Sequence, residues 1–200
     1  INIGIMCSSV LIMLLIIEVF LRIFIPQISD HDIMFQYDEE LGWTFIPENK
    51  AAIFYNNEAS HYIEISESGF RERKAYSSTD STNKIMVIGD SFVSNVAVKD
   101  GEVFTDKMGE SLKDHQVLNF GVNGYGQVQE LLMLKKQIRE VLPDIVVLVI
   151  YIRNDFFDNI GSGANWLYPR PIAKTGGSSE ELQILPTPEL PNISIEQNES

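Results

Sequence analysis

The sequence predicts an α/β domain built on a doubly wound parallel sheet, preceded by a membrane-crossing helix and a small β-rich lead-in. Three observations carry this. Residues 3 to 25 are apolar almost throughout. Three short apolar runs, at 85–88, 117–120 and 145–152, each end at turn-forming residues. The stretches between them, 104–113 and 127–142, place apolar residues at helical spacing.

The first element is the apolar segment Ile3–Ile25, long enough to cross a bilayer core. Residues 3 to 17 carry no charge, and Glu18 and Arg22 lie four apart, where they can pair on a helix near the membrane edge. No small-residue cleavage site precedes Pro26, so residues 1–25 read as an uncleaved signal anchor, with a buried core helix as the alternative. Cys7, the single cysteine, has no lipobox neighbours, and one cysteine excludes an internal disulfide framework.

Residues 26–83 form the lead-in and linker. Short β candidates at 41–47, 51–55 and 61–65 are separated by Asn, Glu and Ser clusters. Gly69-Phe70-Arg71 follows a polar turn, and the polar stretch 77–83 leads into the core at Lys84.

Residues 84–200 form the α/β domain. Ile85-Met86-Val87-Ile88 reads as a buried parallel strand. Residues 104–113 follow as a helix, then the strand Val117–Phe120. The helix 127–142 carries Val128, Leu131, Leu132, Leu134, Ile138, Val141 and Leu142 on or near one face, and Pro143 stops it. Residues 145–152 are the strongest strand signal in the chain. Beyond Ile160 no strand or long helix is expected; 161–200 reads as a loop insertion or a disordered tail. Asn192-Ile193-Ser194 and Asn198-Glu199-Ser200 fit the N-glycosylation pattern, which matters in a eukaryotic secretory setting.

Composition narrows the function. A hydrophobic share of 44% is that of a globular chain, and a net charge of −13 argues against a nucleic-acid surface or an anionic-lipid face. No cofactor fingerprint appears: the glycine run is Gly121-x-x-Gly124-x-Gly126 with no acidic residue at a second strand end, and no metal-ligand cluster is visible.

The chemistry gathers at the three strand ends, which share one edge of a parallel sheet. Gly89-Asp90-Ser91-Phe92 puts a serine on a sharp turn before a helix, so Ser91 is a candidate nucleophile. The second strand runs into Gly121-Val122-Asn123-Gly124-Tyr125-Gly126, and the third ends at Arg153-Asn154-Asp155. With Gly89-Asp90-Ser91, Gly121 and Asn154-Asp155 in order, residues 84 to 160 resemble the SGNH hydrolase superfamily, the GDSL-like lipases and esterases.

The resemblance implies a flavodoxin-like three-layer α/β/α fold with a parallel sheet and a serine esterase activity. It implies that Ser91 attacks an ester carbonyl. The oxyanion hole would consist of the Ser91 N–H, the Gly121 N–H and the Asn154 side-chain amide. Gly121, lacking a Cβ, would let a substrate oxygen approach closely, and Asn154 offers a donor whose charge does not vary with pH. Asn123 and Tyr125 are candidate cleft-lining residues, and Asp90 is a turn, cap or binding residue. Arg153 and Asp155 read as a structural pair or solvent-facing residues. Taken singly, Ser91 could be a helix cap and the glycines simple turn residues.

A serine nucleophile needs a base. His115 precedes the second core strand and should sit at the opposite sheet edge, while His31 and His61 lie in the lead-in. The family's Asp-x-x-His is absent from these 200 residues and is expected beyond Ser200, so the chain by itself is expected to be nearly inactive. The expected activity is ester cleavage through an acyl-enzyme on Ser91, on an ester-bearing small molecule or O-acylated glycan or lipid, outside the cytoplasm. Alternatives are O-acyl transfer to a cell-surface glycan, a non-catalytic binding module on the same fold, and a nucleotide or phosphate binder using residues 121–126.

Overall fold

The computed structural model describes residues 3–24, 34–55, 58–72, 82–153, 158–159, 168–175, 182–185 and 187. Helix α1 (Ile3–Phe24) has 22 residues, a length of ~33 Å at 1.5 Å per residue, enough for a hydrocarbon core. Its hydroxyls are satisfied within the helix: Ser8 Oγ donates to the Gly4 carbonyl and Ser9 Oγ to the Met6 carbonyl, both at 2.9 Å. Residues 4–21 are exposed, so α1 is not a core helix of the domain that follows. It is long and apolar enough to span a membrane. The expected Glu18–Arg22 pair involves a side chain outside the described residues.

The lead-in folds as two antiparallel hairpins, β1 (Phe35–Asp38) with β2 (Gly42–Phe45), and β3 (Lys50–Tyr55) with β4 (Glu58–Glu64). The first turn is held by Asp38, whose Oδ1 accepts from the Glu40 and Leu41 N–H groups at 2.9 and 2.8 Å. Burial pushes the Asp38 carboxyl up. The Leu41 N–H and the Lys136 ammonium, 3.0 Å from Oδ2, outweigh that and leave it below the ordinary carboxylate value. Phe35 and Phe45 stack with centroids 4.8 Å apart. These hairpins share one hydrophobic cluster with the α/β core: Trp43, Phe45, Ile63, Ile65 and Phe70 are buried with Met86, Ile88, Leu118 and Phe120.

The core sheet has three parallel strands, β5 (Asn83–Gly89), β6 (His115–Gly121) and β7 (Ile145–Leu148), in the order β6-β5-β7. Side chains of β5 alternate between faces, as strand geometry requires. Met86 and Ile88 enter the large cluster with the lead-in and helix α4 (Gln127–Val141), through Met133 and Val141. Ile85 and Val87 enter a second cluster with Val93 of helix α2 (Ser91–Ser94) and Met108 of helix α3 (Phe104–Ser111). Helices thus cover both faces. The chain moves one way along the sheet from β5 to β6 and the other way from β6 to β7. Placing the connecting helices on opposite faces gives both crossovers the same hand. Helix α4 ends at Leu142, left-handed with φ 49°, directly before Pro143.

Two expectations are corrected. The most apolar run is expected as a strand over 145–152; β7 covers 145–148, with the Val149 N–H also donating to the Ile88 carbonyl at 2.9 Å, and among the described residues β7 is an outer strand of the sheet. Leu148 and Ile150 are 49% and 48% exposed: among the described residues β7 pairs on one side, with β5, and from this run Val147 and Val149 reach the second cluster. Second, residues 161–200 are not devoid of strands. β8 (Ile172–Thr175) and β9 (Leu182–Leu185) form an antiparallel hairpin. Each has four residues within Gly-, Ser- and Pro-rich surroundings, too short for alternation to stand out. Tertiary contacts anchor the segments flanking it: Arg170 lies over the Trp43 ring at 5.4 Å and pairs with Asp158 at 2.9 Å, and Thr187 Oγ1 donates to the Glu40 carbonyl at 3.1 Å.

Candidate functional site at the strand ends

The registers Gly89↔Gly121 and Ile88↔Leu148 bring the carboxyl ends of the three strands level. At the end of β5 the chain turns directly into α2. A Cβ at Gly89 would lie 2.4 Å from Val93 Cγ2 and 3.0 Å from the Val149 carbonyl oxygen, so no side chain fits where strand and helix meet. Asp90 is fully buried and acts as the helix cap: its Oδ1 accepts from the Phe92 N–H at 2.9 Å, and its carbonyl from the Val93 and Ser94 N–H groups at 3.1 Å. A cap so enclosed is structural rather than substrate-binding.

Ser91 is therefore the first residue of α2 and is half-buried. Among the described residues neither its N–H nor its hydroxyl makes a hydrogen bond; only its carbonyl is engaged, by the Asn95 N–H at 2.8 Å and the Ser94 hydroxyl at 3.4 Å. Phe92, next in the chain and half exposed, stacks on Tyr151 beyond β7 with centroids 4.0 Å apart. The first and third strand ends are joined by that contact.

The second strand end departs from expectation. The Gly121 N–H donates to Asn119 Oδ1 at 3.0 Å in a buried position, so it is not offered to a substrate oxygen. The missing side chain serves packing instead: a Cβ at Gly121 would lie 2.2 Å from Ser94 N and 2.5 Å from Val93 Cβ. Asn119 was overlooked by sequence reasoning. Its amide donates to the Val93 carbonyl at 2.8 Å and to Thr105 Oγ1 at 3.0 Å, tying β6 to α2 and α3. The available signal was a lone polar residue inside the run Val117-Leu118-Asn119-Phe120.

Asn123 does face α2, accepting a hydrogen bond from the Ser94 hydroxyl, while its carbonyl accepts from the Trp43 indole at 2.9 Å. Gly124 follows with φ 76°, and among the described residues its N–H makes no hydrogen bond. Tyr125, expected in the cleft, lies in the core. It is fully buried, its hydroxyl donates to the Trp43 carbonyl at 2.6 Å, and its ring meets Trp43 edge-on at 5.7 Å. Burial first, then the negative charge of Asp38, holds its phenol well above the ordinary range.

Asn154, Asp155 and His31 lie outside the described residues. His115 sits at the amino end of β6 opposite Asn83, across the sheet from Ser91, as its place in the sequence predicts. His61 Nε2 lies 3.0 Å from the Val96 carbonyl oxygen, on the loop after α2. No protein-family model matches this chain, and no curated protein matches it.

Proposed function

We propose that this chain is an SGNH-type serine esterase with a flavodoxin-like catalytic domain, anchored by α1 and acting outside the cytoplasm. The substrate is an ester-bearing small molecule or O-acylated glycan. The observation that carries the reading is Ser91. It heads a helix at the carboxyl end of the central parallel strand, where open α/β sheets place their chemistry, with its hydroxyl and N–H both unengaged among the described residues.

In this reading Ser91 Oγ bonds to the acyl carbon, and its proton passes to a general base and then to the departing alcohol. Water or a second hydroxyl then resolves the acyl-enzyme; the second outcome is acyl transfer. The Ser91 N–H and the Asn154 amide donate to the oxyanion. The Gly121 N–H, held by Asn119, is not counted among these donors. The base is neither His115, at the far sheet edge, nor His61, which faces the Val96 carbonyl. That placement of both described histidines favours one second reading, a binding module on the same fold that retains the cleft without turnover.

The test is turnover of p-nitrophenyl acetate and butyrate by the natural protein in detergent, beside Ser91→Ala. The expected loss is about 1,000-fold or more, with an unchanged circular dichroism spectrum. Turnover retained by Ser91→Ala would refute the nucleophile. A parent protein that neither turns over nor accepts a fluorophosphonate on Ser91 would refute the esterase reading.

A further inference from the structure

We infer that Arg71 is the positioning residue of Ser91, a role that rests on the nucleophile reading above and extends it to the lead-in. Arg71 follows the β3–β4 hairpin, far from the strand ends in sequence, yet its side chain is 3% exposed. Its guanidinium makes five hydrogen bonds, all to the segment just after Ser91. Nη1 donates to the Ser94 carbonyl at 3.0 Å and the Asn95 carbonyl at 2.5 Å. Nη2 donates to the Val98 carbonyl at 2.5 Å and Asp100 Oδ1 at 2.6 Å, and Nε donates to the same Oδ1 at 2.9 Å.

These acceptors explain the need. Helix α2 has four residues, and a helix of one turn does not hold its shape unaided. Its last carbonyls have no partners within the helix and must find them elsewhere. The chain leaves α2 through Asn95 at φ 45°, a left-handed conformation. Arg71 gathers the carbonyls on both sides of that bend and adds a positive charge where the helix end is negative. The hairpin grips the same loop: Asp100 Oδ2 accepts from the Glu64 N–H at 3.0 Å, and His61 lies against the Val96 carbonyl. From the other side Asn119 holds the Val93 carbonyl. The orientation of Ser91 is thus set from two directions, one of them the lead-in. A lysine presents three donors from one point and cannot reproduce the planar fork.

The test compares the natural protein in detergent with Arg71→Lys, Arg71→Ala and the milder Asp100→Asn. Two readouts are made: amide hydrogen exchange at 93–98 against β5 and β6, and the rate of fluorophosphonate labelling at Ser91. In both Arg71 variants, exchange at 93–98 is expected to rise at least about tenfold while β5 and β6 stay protected. Labelling is expected to slow by about 100-fold, the cost of a displacement of roughly 1 Å. Methylguanidinium should partly restore both in Arg71→Ala, which a general loss of stability would not allow. Asp100→Asn should show the same local pattern more weakly, and it decides the matter if the Arg71 variants do not fold. Unchanged exchange at 93–98, or an equal rise in β5 and β6, overturns the inference, as does labelling at the parent rate. A parent that is not labelled refutes the nucleophile reading instead, and exchange still tests the clamp.

Discussion

The sharpest perturbation available at this site is Gly121→Ala. The added Cβ would lie 2.2 Å from Ser94 N, 2.5 Å from Val93 Cβ and 2.7 Å from the Val93 carbonyl carbon. Two of these atoms are backbone, so no rotamer change relieves the overlap. To reach the 3.4 Å of ordinary contact, α2 must retreat by about 1 Å. Overpacking of this kind costs about 1–3 kcal/mol, and a backbone clash belongs at the upper end. At ~3 kcal/mol the melting temperature of a chain this size should fall by roughly 6–12 °C. Thermal unfolding in detergent, followed by circular dichroism, reads this directly. Gly109→Ala is the control: in the middle of α3, its Cβ would meet Val117 at 3.6 Å, an ordinary contact. It should stabilise by about 0.5–1 kcal/mol through the helix preference of alanine. A Gly121→Ala protein melting within about 1 °C of the parent would refute the packing of α2 on the end of β6.

Asn119→Leu leaves the Gly121 N–H, the Val93 carbonyl and Thr105 Oγ1 without their buried partner. At about 1–3 kcal/mol for each stranded group, the loss should exceed about 3 kcal/mol in urea unfolding; a loss below about 1 kcal/mol would contradict the network. Glu72 predicts a pH dependence. Burial pushes its carboxyl up to about 8, and the Ser68 hydroxyl offsets only part of this. The folded chain keeps a proton that the unfolded chain releases near the ordinary glutamate value. Its contribution is therefore full below about 4.5 and is lost as the pH rises through about 8. Glu72→Gln should flatten the fall in stability across that window. A parent whose unfolding free energy is level there would show that Glu72 is ionised in the fold.

Much of the fold is legible in the sequence because it is local. The apolar length of Ile3–Phe24, the strand runs at 85–88 and 117–120, and the stop at Pro143 each follow from a few neighbouring residues. The hairpin at 172–185 was hidden because four-residue strands carry little periodic signal. The site was legible only in outline. Ser91, expected on the turn before a helix, is the first residue of that helix, directly after β5 and its cap Asp90. Tyr125 was not readable, since the same Gly-Tyr-Gly turn could have aimed its ring at the cleft; the Trp43 carbonyl, 82 residues away, draws it into the core.

The sequence by itself determined the helix at 127–141, the strand runs at 85–88 and 117–120, that these two runs lead into Ser91 and a glycine-rich turn, and that a long apolar helix precedes them. Only the tertiary structure decided that β5 lies between β6 and the most apolar strand, that the Gly121 N–H belongs to Asn119, and that Arg71 holds the loop behind Ser91. The division has a physical cause. Periodicity and turn chemistry act between residues a few positions apart. Strand order and the partners of buried polar groups depend on which distant faces meet, and those contacts form only when the whole domain packs.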